Sequence, residues 1–586
     1  MCGIFCSLCR DDYLLATAEL ATLLKKRGPD SLQQHQLQIS SSRGVRYLTC
    51  LSTVLALRGD HITIQPLIDQ ISGSILCWNG EAWEINHHAI SGNDSEVIFD
   101  LLLKASAKDS RQGSSDDTIT QVDCTLNALN LISGPFSFVY YDGVNSRVFY
   151  GRDRLGRRSL LRKQMENEAL ILSSICDGQV LDGWVEVEAD GIYYMELSQN
   201  RDEQVEKPFI HFKCISWDQI NDNLRTPIMQ RLSQPMNKKL PNSIIPALNF
   251  TSPSISALQT ELCKSLRLRI LDIPTPPFLN DQAIGAKVAI LFSGGLDCTL
   301  LARLAHDILP VNETIDLLNV AFENPRIIAA AKANGDIANV YDLCPDRITG
   351  KSSHAELERI CPERRWRHVS INIPYSETLQ HREIVKGLIY PHNTEMDFSI
   401  AIALYFAARG SGIAYNRTNN SQAPYTTKAR VLLSGLGADE IFGGYTRHNT
   451  AFSRRGFQGL VDELDLDINR LGKRNLGRDD RAISHWGKEV RYPYLDEKFM
   501  NWALSIPVWE KCGFGTSPNP EPESSNSAQD RNGVVPTLQP GKKILRLLAW
   551  KKGMKNVAKE GKRAIQFGAR TAKMEKGRTK GTQILE

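Results

Sequence analysis

The sequence lacks the features of a membrane protein. Its 586 residues contain no uninterrupted apolar run of about 18 residues, which is roughly what a transmembrane helix needs. The first residues lack the basic and then apolar stretches of a secretory signal peptide. The net charge of +4 is small for this length, so no nucleic-acid partner is indicated. The sequence therefore predicts a cytoplasmic protein that binds neither membranes nor nucleic acids.

The sequence also lacks a paired-cysteine metal motif. Its 13 cysteines are scattered and odd in number, which is typical of free thiols in a reducing compartment. Cys2, Cys6 and Cys9 lie close together, but no fourth ligand follows them at the spacing of a zinc site. We therefore expect no metal at this cluster.

The chain divides into two blocks of different pattern. Residues 1–205 carry short apolar runs bounded by Gly, Asn and Asp, which predict β-sheet layers covered by helices. Residues 206–255 are rich in Pro, Asn and Ser and predict a linker. Residues 256–570 alternate buried strands with helices, which predicts a doubly wound parallel α/β domain. A loose insertion is expected near 513–535, and a basic tail over 571–586.

A glycine loop in the second block predicts an anion site. In "ILFSGGLDCT", a strand ends near Phe292, and Ser293, Gly294 and Gly295 lead into a helix. Glycines let backbone N–H groups approach a phosphate, and the helix N-terminus adds a favourable dipole. Asp297 in the first helical turn suits Mg²⁺ beside a phosphate. No Gly-Lys-Ser/Thr follows, so this is not a Walker loop.

A second glycine loop follows at "LLSGLGADEIFGGY". Ser434, Gly435 and Gly437 repeat the turn chemistry, and Asp439 and Glu440 supply two further carboxylates. Charged residues are also common in a first helical turn without any metal. Together with the first loop, the pattern favours a magnesium site shared by the two loops.

The second residue of the chain is a cysteine followed by glycine. If Met1 is removed, Cys2 carries both a thiol and a free α-amino group, a nucleophile with its own base for amide hydrolysis. The alternative is that Cys2 is an ordinary small core residue.

Longer motifs resemble the asparagine synthetase family. The two glycine loops and "RDDRAISHWGKEVRYPYLD" resemble its synthetase domain, and the matching residues of the last segment are Arg478, Asp480, Arg481, Gly487, Glu489, Arg491, Pro493 and Asp496. "MCGI", "RGPD", "WNGE", "GPFSFVYYD" and "GRDRLGRRSL" resemble a class II glutamine amidotransferase domain. "LLNVAF", "PDRITG", "NLGRDDR" and "QFGAR" are most similar to the diverged asparagine synthetase domain-containing branch of the family.

The resemblance implies a fold, two cofactors and two sites. The fold is an N-terminal nucleophile-type αββα sandwich followed by an ATP-pyrophosphatase domain of the adenine nucleotide α-hydrolase type. Cys2 would attack glutamine, with Asn79 and Gly80 as the oxyanion hole, and Asn79, Gly80, Glu81 and Asp94 would bind glutamine. ATP would meet Phe292, Ser293, Gly294, Gly295, Asp297, Val320, Ser434, Gly435, Lys562 and Arg563, and Mg²⁺ would meet Asp297, Asp439 and Glu440. Ammonia from glutamine would convert adenylated aspartate into asparagine, with AMP and pyrophosphate as the other products.

Several positions depart from the family pattern. The arginine that grips the glutamine α-carboxylate falls in register at Val54, and Arg58 is close in sequence but out of register. No glutamate base is in register in "IYPHNTEMDFSIAIA", where Glu395 and Asp397 are the nearest acids. Cys298 replaces the usual serine after the loop aspartate.

Three functions therefore stay open from the sequence. The chain is a glutamine-dependent asparagine synthetase, a related ATP-dependent amide-forming enzyme with another acyl substrate, or a catalytically weak relative that binds or regulates. The expected small-molecule partners are glutamine, aspartate and ATP, and the sequence leaves the oligomeric state open.

Overall fold

In the described part of the first block there are two six-stranded sheets, one three-stranded sheet and four helices. The computed structural model describes residues 2–41, 44–107, 121–166, 169–178, 182–197, 212–222, 235–242, 245, 247–274, 285–333, 339–416, 421–515, 537–574 and 580–585. The elements of this block are β1 (Gly3–Cys9), α1 (Ala18–Arg27), β2 (Ser31–Ser41), β3 (Gly44–Val54), β4 (Leu67–Ile68), β5 (Ile75–Gly80), β6 (Glu84–Ile85), β7 (His88–Ala89), α2 (Asp94–Ser106), α3 (Gln121–Asn130), β8 (Ile132–Ser133), β9 (Phe136–Asp142), β10 (Arg147–Arg152), β11 (Leu161–Gln164), β12 (Leu170–Ser173), β13 (Trp184–Glu186), β14 (Gly191–Glu196), β15 (Lys213–Ser216) and α4 (Trp217–Asp222).

These two sheets stack face to face between helices. Their strand orders are β13-β11-β12-β1-β3-β2 and β15-β14-β10-β9-β5-β4. Alternation along β1 sends Ile4 and Cys6 into the layer between the sheets, whereas Phe5 points to the other face and packs with Leu24 of α1. Helices α2 and α3 cover the outer face of the second sheet, where they pack against Trp78. The order of layers is therefore helix, sheet, sheet, helix.

The second block is built on a seven-stranded sheet. Its elements are α5 (Pro253–Ile270), β16 (Val288–Leu291), α6 (Leu296–Ile308), β17 (Ile315–Phe322), α7 (Pro325–Ala333), α8 (Pro345–Ile360), β18 (Trp366–Ile373), α9 (Tyr375–Ile389), α10 (Glu395–Arg409), β19 (Ser411–Asn416), β20 (Ser421–Thr426), β21 (Val431–Leu433), α11 (Ala438–Phe442), α12 (Thr446–Arg474), α13 (Leu476–Ser484), β22 (Glu489–Arg491), α14 (Glu497–Ser505), α15 (Lys543–Lys551), α16 (Lys555–Lys559) and α17 (Ile565–Gly568). The strand order is β20-β19-β18-β17-β16-β21-β22.

Five neighbouring strands of this sheet are parallel, and two are not. Strands β18, β17, β16, β21 and β22 pair in parallel, whereas β19 and β20 form an antiparallel hairpin at one edge. The buried apolar runs of β16, β17 and β21 explain why these strands sit in the middle of the sheet. The mixed α/β class predicted from the sequence is confirmed, and the antiparallel edge is an addition to it.

The predicted boundaries differ from the structure in detail. Strand β15 pairs with β14, so part of the predicted linker 206–255 belongs to the first block's second sheet. Residues 206–211, 223–234, 243–244 and 246 of that linker, and 516–536 in and just beyond the predicted insertion at 513–535, lie outside the described residues. In the predicted tail, the Gln583 carbonyl accepts the Glu395 N–H at 2.8 Å, so this part of 571–586 packs on the start of α10. Across the described ranges, no helix is long and apolar enough to cross a bilayer.

Buried arginines join the two blocks. Arg27 pairs with Asp480 at 2.9 Å, and Arg158 lies 3.2 Å from Glu489. Arg157, in the motif "GRDRLGRRSL", pairs with Glu497. Buried ion pairs hold their geometry because losing one partner leaves an uncompensated charge. This junction fixes the first block against α13 and β22 of the second.

Candidate active sites

Cys2 lies where the two sheets of the first block meet. Its backbone nitrogen donates to Asn79 Oδ1 at 3.0 Å, and the next residue's N–H donates to Thr53 Oγ1 at 3.0 Å. The Gln65 amide nitrogen lies 4.0 Å from Cys2 Sγ. Burial raises the pKa of the Cys2 thiol, so the thiolate needs a base or a substrate to form. Strand ends, rather than a flexible loop, thus place the thiol beside Asn79.

Gly80 ends β5 next to this thiol. A Cβ at Gly80 would lie 2.5 Å from the Pro135 carbonyl oxygen, so only glycine fits there. The structure therefore brings together Cys2, Asn79 and Gly80, which the sequence analysis assigned to one catalytic centre.

Beyond Gly80 lie three charged side chains, those of Glu81, Asp94 and Arg491. Asp94 Oδ2 accepts the Ala82 N–H at 2.8 Å and the Trp78 indole N–H at 3.1 Å. Glu81 Oε1 lies 3.1 Å from Arg491 Nη2. Burial raises the pKa of Glu81 to about 8, although the Arg491 charge opposes the shift. Glu81 and Asp94 thus stand side by side near the predicted glutamine site.

An arginine reaches this site from outside the expected register. Arg58 Nη1 lies 3.8 Å from Glu81 Oε2, and its guanidinium donates to the carbonyls of Ala82 at 3.0 Å and Ile90 at 2.7 Å. Val54, at the in-register position, ends β3 as a buried apolar residue whose carbonyl accepts the Asp30 N–H. The chain leaves the sheet after Val54. Counting residues back from Gln65 therefore reaches Val54 and does not identify Arg58 as the nearby cation.

The first glycine loop connects β16 to α6. Gly294 has φ +80°, and a Cβ there would lie 2.5 Å from the backbone of Thr349 and Gly350. Ser353 Oγ donates to the Gly294 carbonyl at 2.6 Å. The loop is thus pressed against the start of α8, which fixes its direction.

The second glycine loop meets the first. A Cβ at Gly435 would lie 2.9 Å from Cβ of Asp297, and Gly437 has φ +101°. Cys298, next to Asp297, donates its thiol to the Gly295 carbonyl at 3.4 Å, so the replacement of serine keeps a local hydrogen bond. Both loops lie at the carboxyl edge of the parallel strands, where α/β sheets bind ligands.

Two aspartates and two lysines alternate where these loops meet. Lys542 Nζ lies 2.6 Å from both Asp297 Oδ2 and Asp439 Oδ1, and Lys562 Nζ lies 2.5 Å from Asp439 Oδ2. The two lysines hold the pKa of Asp439 well below its usual range despite burial, and the two carboxylates raise the pKa of Lys542. The sequence analysis did not single out Lys542, because the lysine in "GKKILRLL" lies over a hundred residues from either loop.

These aspartates fit a magnesium ion. Asp297 Oδ1 is buried and accepts no hydrogen bond from any described residue. Mg²⁺ commonly uses one or two carboxylates and takes its other ligands from water and substrate phosphates. Within the described ranges, no three His, Cys, Asp or Glu side chains form a group that could hold a metal ion. Glu440 accepts the Tyr445 hydroxyl at 2.5 Å, so its assignment to the metal stays a prediction.

A single cavity of about 760 Å³ contains these groups. From the predicted nucleotide set it is lined by Phe292, Ser293, Gly295, Asp297, Val320, Ser434, Gly435, Lys562 and Arg563, whereas Gly294 is buried and outside the lining. The same cavity is also lined by His392, Asp397, Arg478 and Asp479.

The acids considered as bases differ in position. Asp397 lines the cavity but pairs with Arg478 at 2.6 Å and accepts the Thr394 hydroxyl at 2.5 Å, which together hold its pKa below the usual range despite burial. Glu395 is not among the lining residues. A free carboxylate base is therefore not supplied by this segment.

Comparisons with known proteins relate this chain to asparagine synthetases. A sequence model of the asparagine synthase family matches residues 421–464 and 458–517. Asparagine synthetase domain-containing protein 1 of Mus musculus is 32% identical over 99% of this chain and 98% of its own length, and that of Homo sapiens is 31% identical over 98% and 96%. The glutamine-hydrolyzing asparagine synthetase of Bos taurus is 22% identical over 86% of this chain and 77% of its own. A glutamine phosphoribosylpyrophosphate amidotransferase structure from B. subtilis aligns with 54% of this chain and 66% of its own at 14% identity, with a TM-score of only 0.25.

Proposed function

The chain belongs to the asparagine synthetase domain-containing protein family. We propose that it is a glutamine-hydrolysing, ATP-dependent enzyme that forms asparagine. The proposal rests on the cavity of the second block, where two glycine loops, two aspartates and two lysines come together. Lysine side chains at the carboxyl edge of a parallel sheet suit a phosphate ligand.

In the first step, Cys2 releases ammonia from glutamine. After Met1 is removed, the α-amino group takes the thiol proton, and Sγ attacks the side-chain carbonyl carbon of glutamine. The C–N bond then breaks, the proton goes to the leaving nitrogen, and ammonia departs from a thioester. Water hydrolyses the thioester to glutamate and regenerates the thiol. The Asn79 side-chain amide and the Gly80 N–H stabilise the oxyanion, a contribution commonly worth about 10²–10³ in rate for one donor.

Glutamine is held at its α-carbon by the charged group next to Gly80. Asp94 suits the α-ammonium, and Arg58 suits the α-carboxylate because its guanidinium lies beside Glu81 and Asp94. Arginine binds carboxylates in a bidentate geometry, which gives direction as well as affinity. Arg58 would therefore bind the α-carboxylate in place of the arginine that is expected at the position of Val54.

In the second step, ATP activates a carboxylic acid in the cavity. The aspartate side-chain carboxylate attacks the α-phosphorus, and pyrophosphate leaves. Ammonia then attacks the acyl carbon, the C–O bond breaks, and AMP and asparagine form. Lys542 and Lys562 exchange an aspartate partner for phosphate oxygens and stabilise the charge on pyrophosphate. Mg²⁺ held by Asp297 and Asp439 supplies further charge neutralisation when bound.

A second acyl substrate is favoured by one observation. Arg478, which also lines the cavity, already pairs with Asp397 at 2.6 Å and with Asp479 at 2.8 Å. An α-carboxylate of aspartate would have to displace one of these partners. A related carboxylic acid without that group is therefore the alternative acyl substrate.

Pyrophosphate release tests the proposal. The protein is supplied with Mg-ATP and aspartate, or with other carboxylic acids, in the presence of glutamine or ammonium. We expect release that requires an acid and a nitrogen source, and we expect Cys2→Ala to lose only the glutamine-supported part. Release from no acid tried, or an effect of Cys2→Ala on ammonium-supported release equal to that on glutamine-supported release, would overturn it.

A further inference from the structure

Three of the branch-specific segments meet on one wall of the cavity. These are "LLNVAF" at 317–322, "PDRITG" at 345–350 and "QFGAR" at 566–570. The Phe322 N–H donates to the Ala569 carbonyl at 3.1 Å, and Asn319 Nδ2 donates to the Asp346 carbonyl at 2.8 Å. The function proposed above uses Val320 from these segments but leaves the others without a role.

This wall is tied to the first glycine loop. Asn319 Nδ2 also donates to the Phe292 carbonyl at 2.9 Å, so one amide holds both Phe292 and Asp346. Arg347, fully buried, donates to Asn319 Oδ1 at 2.6 Å and keeps that amide in place. The backbone of Asp346 is therefore held beside the strand ends that the nucleotide would meet.

The Asp346 side chain lines the cavity and has an ion-pair contact with Arg563. It is 6% exposed, and Arg563 Nη1 lies 3.7 Å from Oδ1, beyond hydrogen-bond distance. A Cβ at Gly568 would lie 2.0 Å from the same oxygen, so this glycine makes the space for the carboxylate. Burial raises the pKa of Asp346 to about 7, although the positive charge of Arg563 opposes the shift.

The position of Asp346 matches one part of a nucleotide. Asp346 lines the same cavity as Val320 and Phe292, which come from β17 and from the end of β16, and it interacts with the charges of Lys562 and Arg563. In a nucleoside triphosphate, the ribose connects the base to the phosphates. A carboxylate accepts hydrogen bonds from two vicinal hydroxyls, which is how acidic residues recognise ribose in other α/β nucleotide sites.

We propose that the Asp346 carboxylate binds the 2′- and 3′-hydroxyls of the nucleotide and makes the cavity selective for ribonucleotides. The inference rests on the proposed use of ATP and adds a specificity-determining residue to it. Asp346 contacts the bound nucleotide away from the reacting phosphorus, so its effect is on nucleotide choice rather than on the chemical steps.

Competition binding measures this selectivity directly. ATP, 2′-deoxy-ATP and 3′-deoxy-ATP compete with a fluorescent ATP analogue on the full chain in the presence of Mg²⁺. A hydrogen bond to a charged group corresponds to about ten- to a hundredfold in affinity, so the unmodified protein should prefer ATP over each deoxy form by at least about tenfold. Asp346→Ala should reduce this ratio to about twofold or less.

Ratios of affinities separate this contact from general charge effects. Removing Asp346 also frees Arg563 and Lys562, which would strengthen binding of all three nucleotides equally and leave the ratio unchanged. Asp342→Ala removes a half-exposed aspartate near the same helix and should keep the full ratio. Gly568→Ala, which displaces the carboxylate without removing it, should lower the ratio as Asp346→Ala does and covers the case in which that variant fails to fold.

The outcomes distinguish this inference from the proposed function. ATP binding without preference over the deoxy forms, or an unchanged preference in both Asp346→Ala and Gly568→Ala, would overturn the role of Asp346 and leave the ATP-dependent function standing. An unmodified protein that binds none of the three nucleotides would overturn both.

Discussion

The two candidate sites of this chain are held in different ways. Around Cys2, backbone N–H groups meet fixed side chains, as with Asn79 at 3.0 Å and Asp94 with Ala82 at 2.8 Å. In the cavity of the second block, side chains pair with side chains, and Lys542 lies 2.6 Å from both Asp297 and Asp439. The thiol centre at Cys2 and Asn79 can therefore receive a reacting amide without breaking an ion pair, whereas a phosphate in the second site would have to replace an internal ion pair.

The two arrangements place different demands on a ligand. A preorganised site stabilises a transition state at no reorganisation cost. A cavity whose lysines are paired with its own aspartates favours an anionic group that can replace the displaced carboxylate partner. A substitution at one site should therefore leave the chemistry of the other intact.

Removal of the nucleophile should silence one site only. Cys2→Ala should lower glutamine hydrolysis at least about a thousandfold, because no other group near Asn79 can form the thioester. Ammonium-supported amide formation should persist, and glutamate and pyrophosphate are measured in parallel. Intact-mass analysis of the unmodified protein should show that Met1 is absent. Full hydrolysis by a chain that retains Met1 would contradict the role of the α-amino group.

Loss of the loop aspartate should silence the other site. Asp297→Asn should lower pyrophosphate release about a hundredfold or more, since a magnesium ligand and the partner of Lys542 are lost together. Glutamine hydrolysis should stay within about twofold of normal, because Asp297 lies in the other block. Asp307→Asn, on the exposed end of α6, is the matched control. Equal loss at both sites would show that Asp297 supports the fold rather than the nucleotide.

The glutamine grip should depend on Arg58 and not on Val54. Arg58→Ala should raise the KM for glutamine by about one to two decades, because a charge-assisted hydrogen bond to the α-carboxylate is lost. The kcat should change less, and ammonium-supported synthesis should not change. Val54→Ala serves as the control at the in-register position. A normal KM in Arg58→Ala would show that another residue holds the carboxylate.

The outermost phosphate cation should have the smallest effect. Lys562 is partly exposed and pairs with Asp439 at 2.5 Å, so Lys562→Ala should weaken ATP binding about tenfold. Glutamine hydrolysis reports on the first block and should be unaffected. A tighter nucleotide complex in this variant would mean that Lys562 serves Asp439 alone.

Local patterns predicted the central elements of the second block. The strands β16, β17 and β21 and the two glycine loops follow from apolar runs and turn residues, which depend on neighbours in sequence. The resemblance to the asparagine synthetase family is confirmed. That resemblance, rather than a local pattern, grouped Cys2 with Asn79 and Gly80, which do meet in the structure.

Contacts between distant segments could not be predicted in the same way. Lys542 completes the charge cluster from over a hundred residues away, and Arg58 comes within 3.8 Å of Glu81 because the chain leaves β3 after Val54. The hairpin β19–β20 reverses the parallel pattern at the sheet edge, where packing rather than propensity decides direction. Ion pairs of this kind have no periodicity, so their only sequence signal is the residue type.

Isotope labelling measures directly whether the side-chain nitrogen of glutamine passes from the first site to the second. The protein is supplied with Mg-ATP, aspartate and glutamine labelled with ¹⁵N in its side-chain amide, in the presence of unlabelled ammonium, and the mass of the amide product is determined. The account predicts ¹⁵N in the product well above its share of the free ammonia, with one pyrophosphate released per amide formed. A product that carries only the isotope ratio of the solution, or glutamate released without any amide, would contradict it.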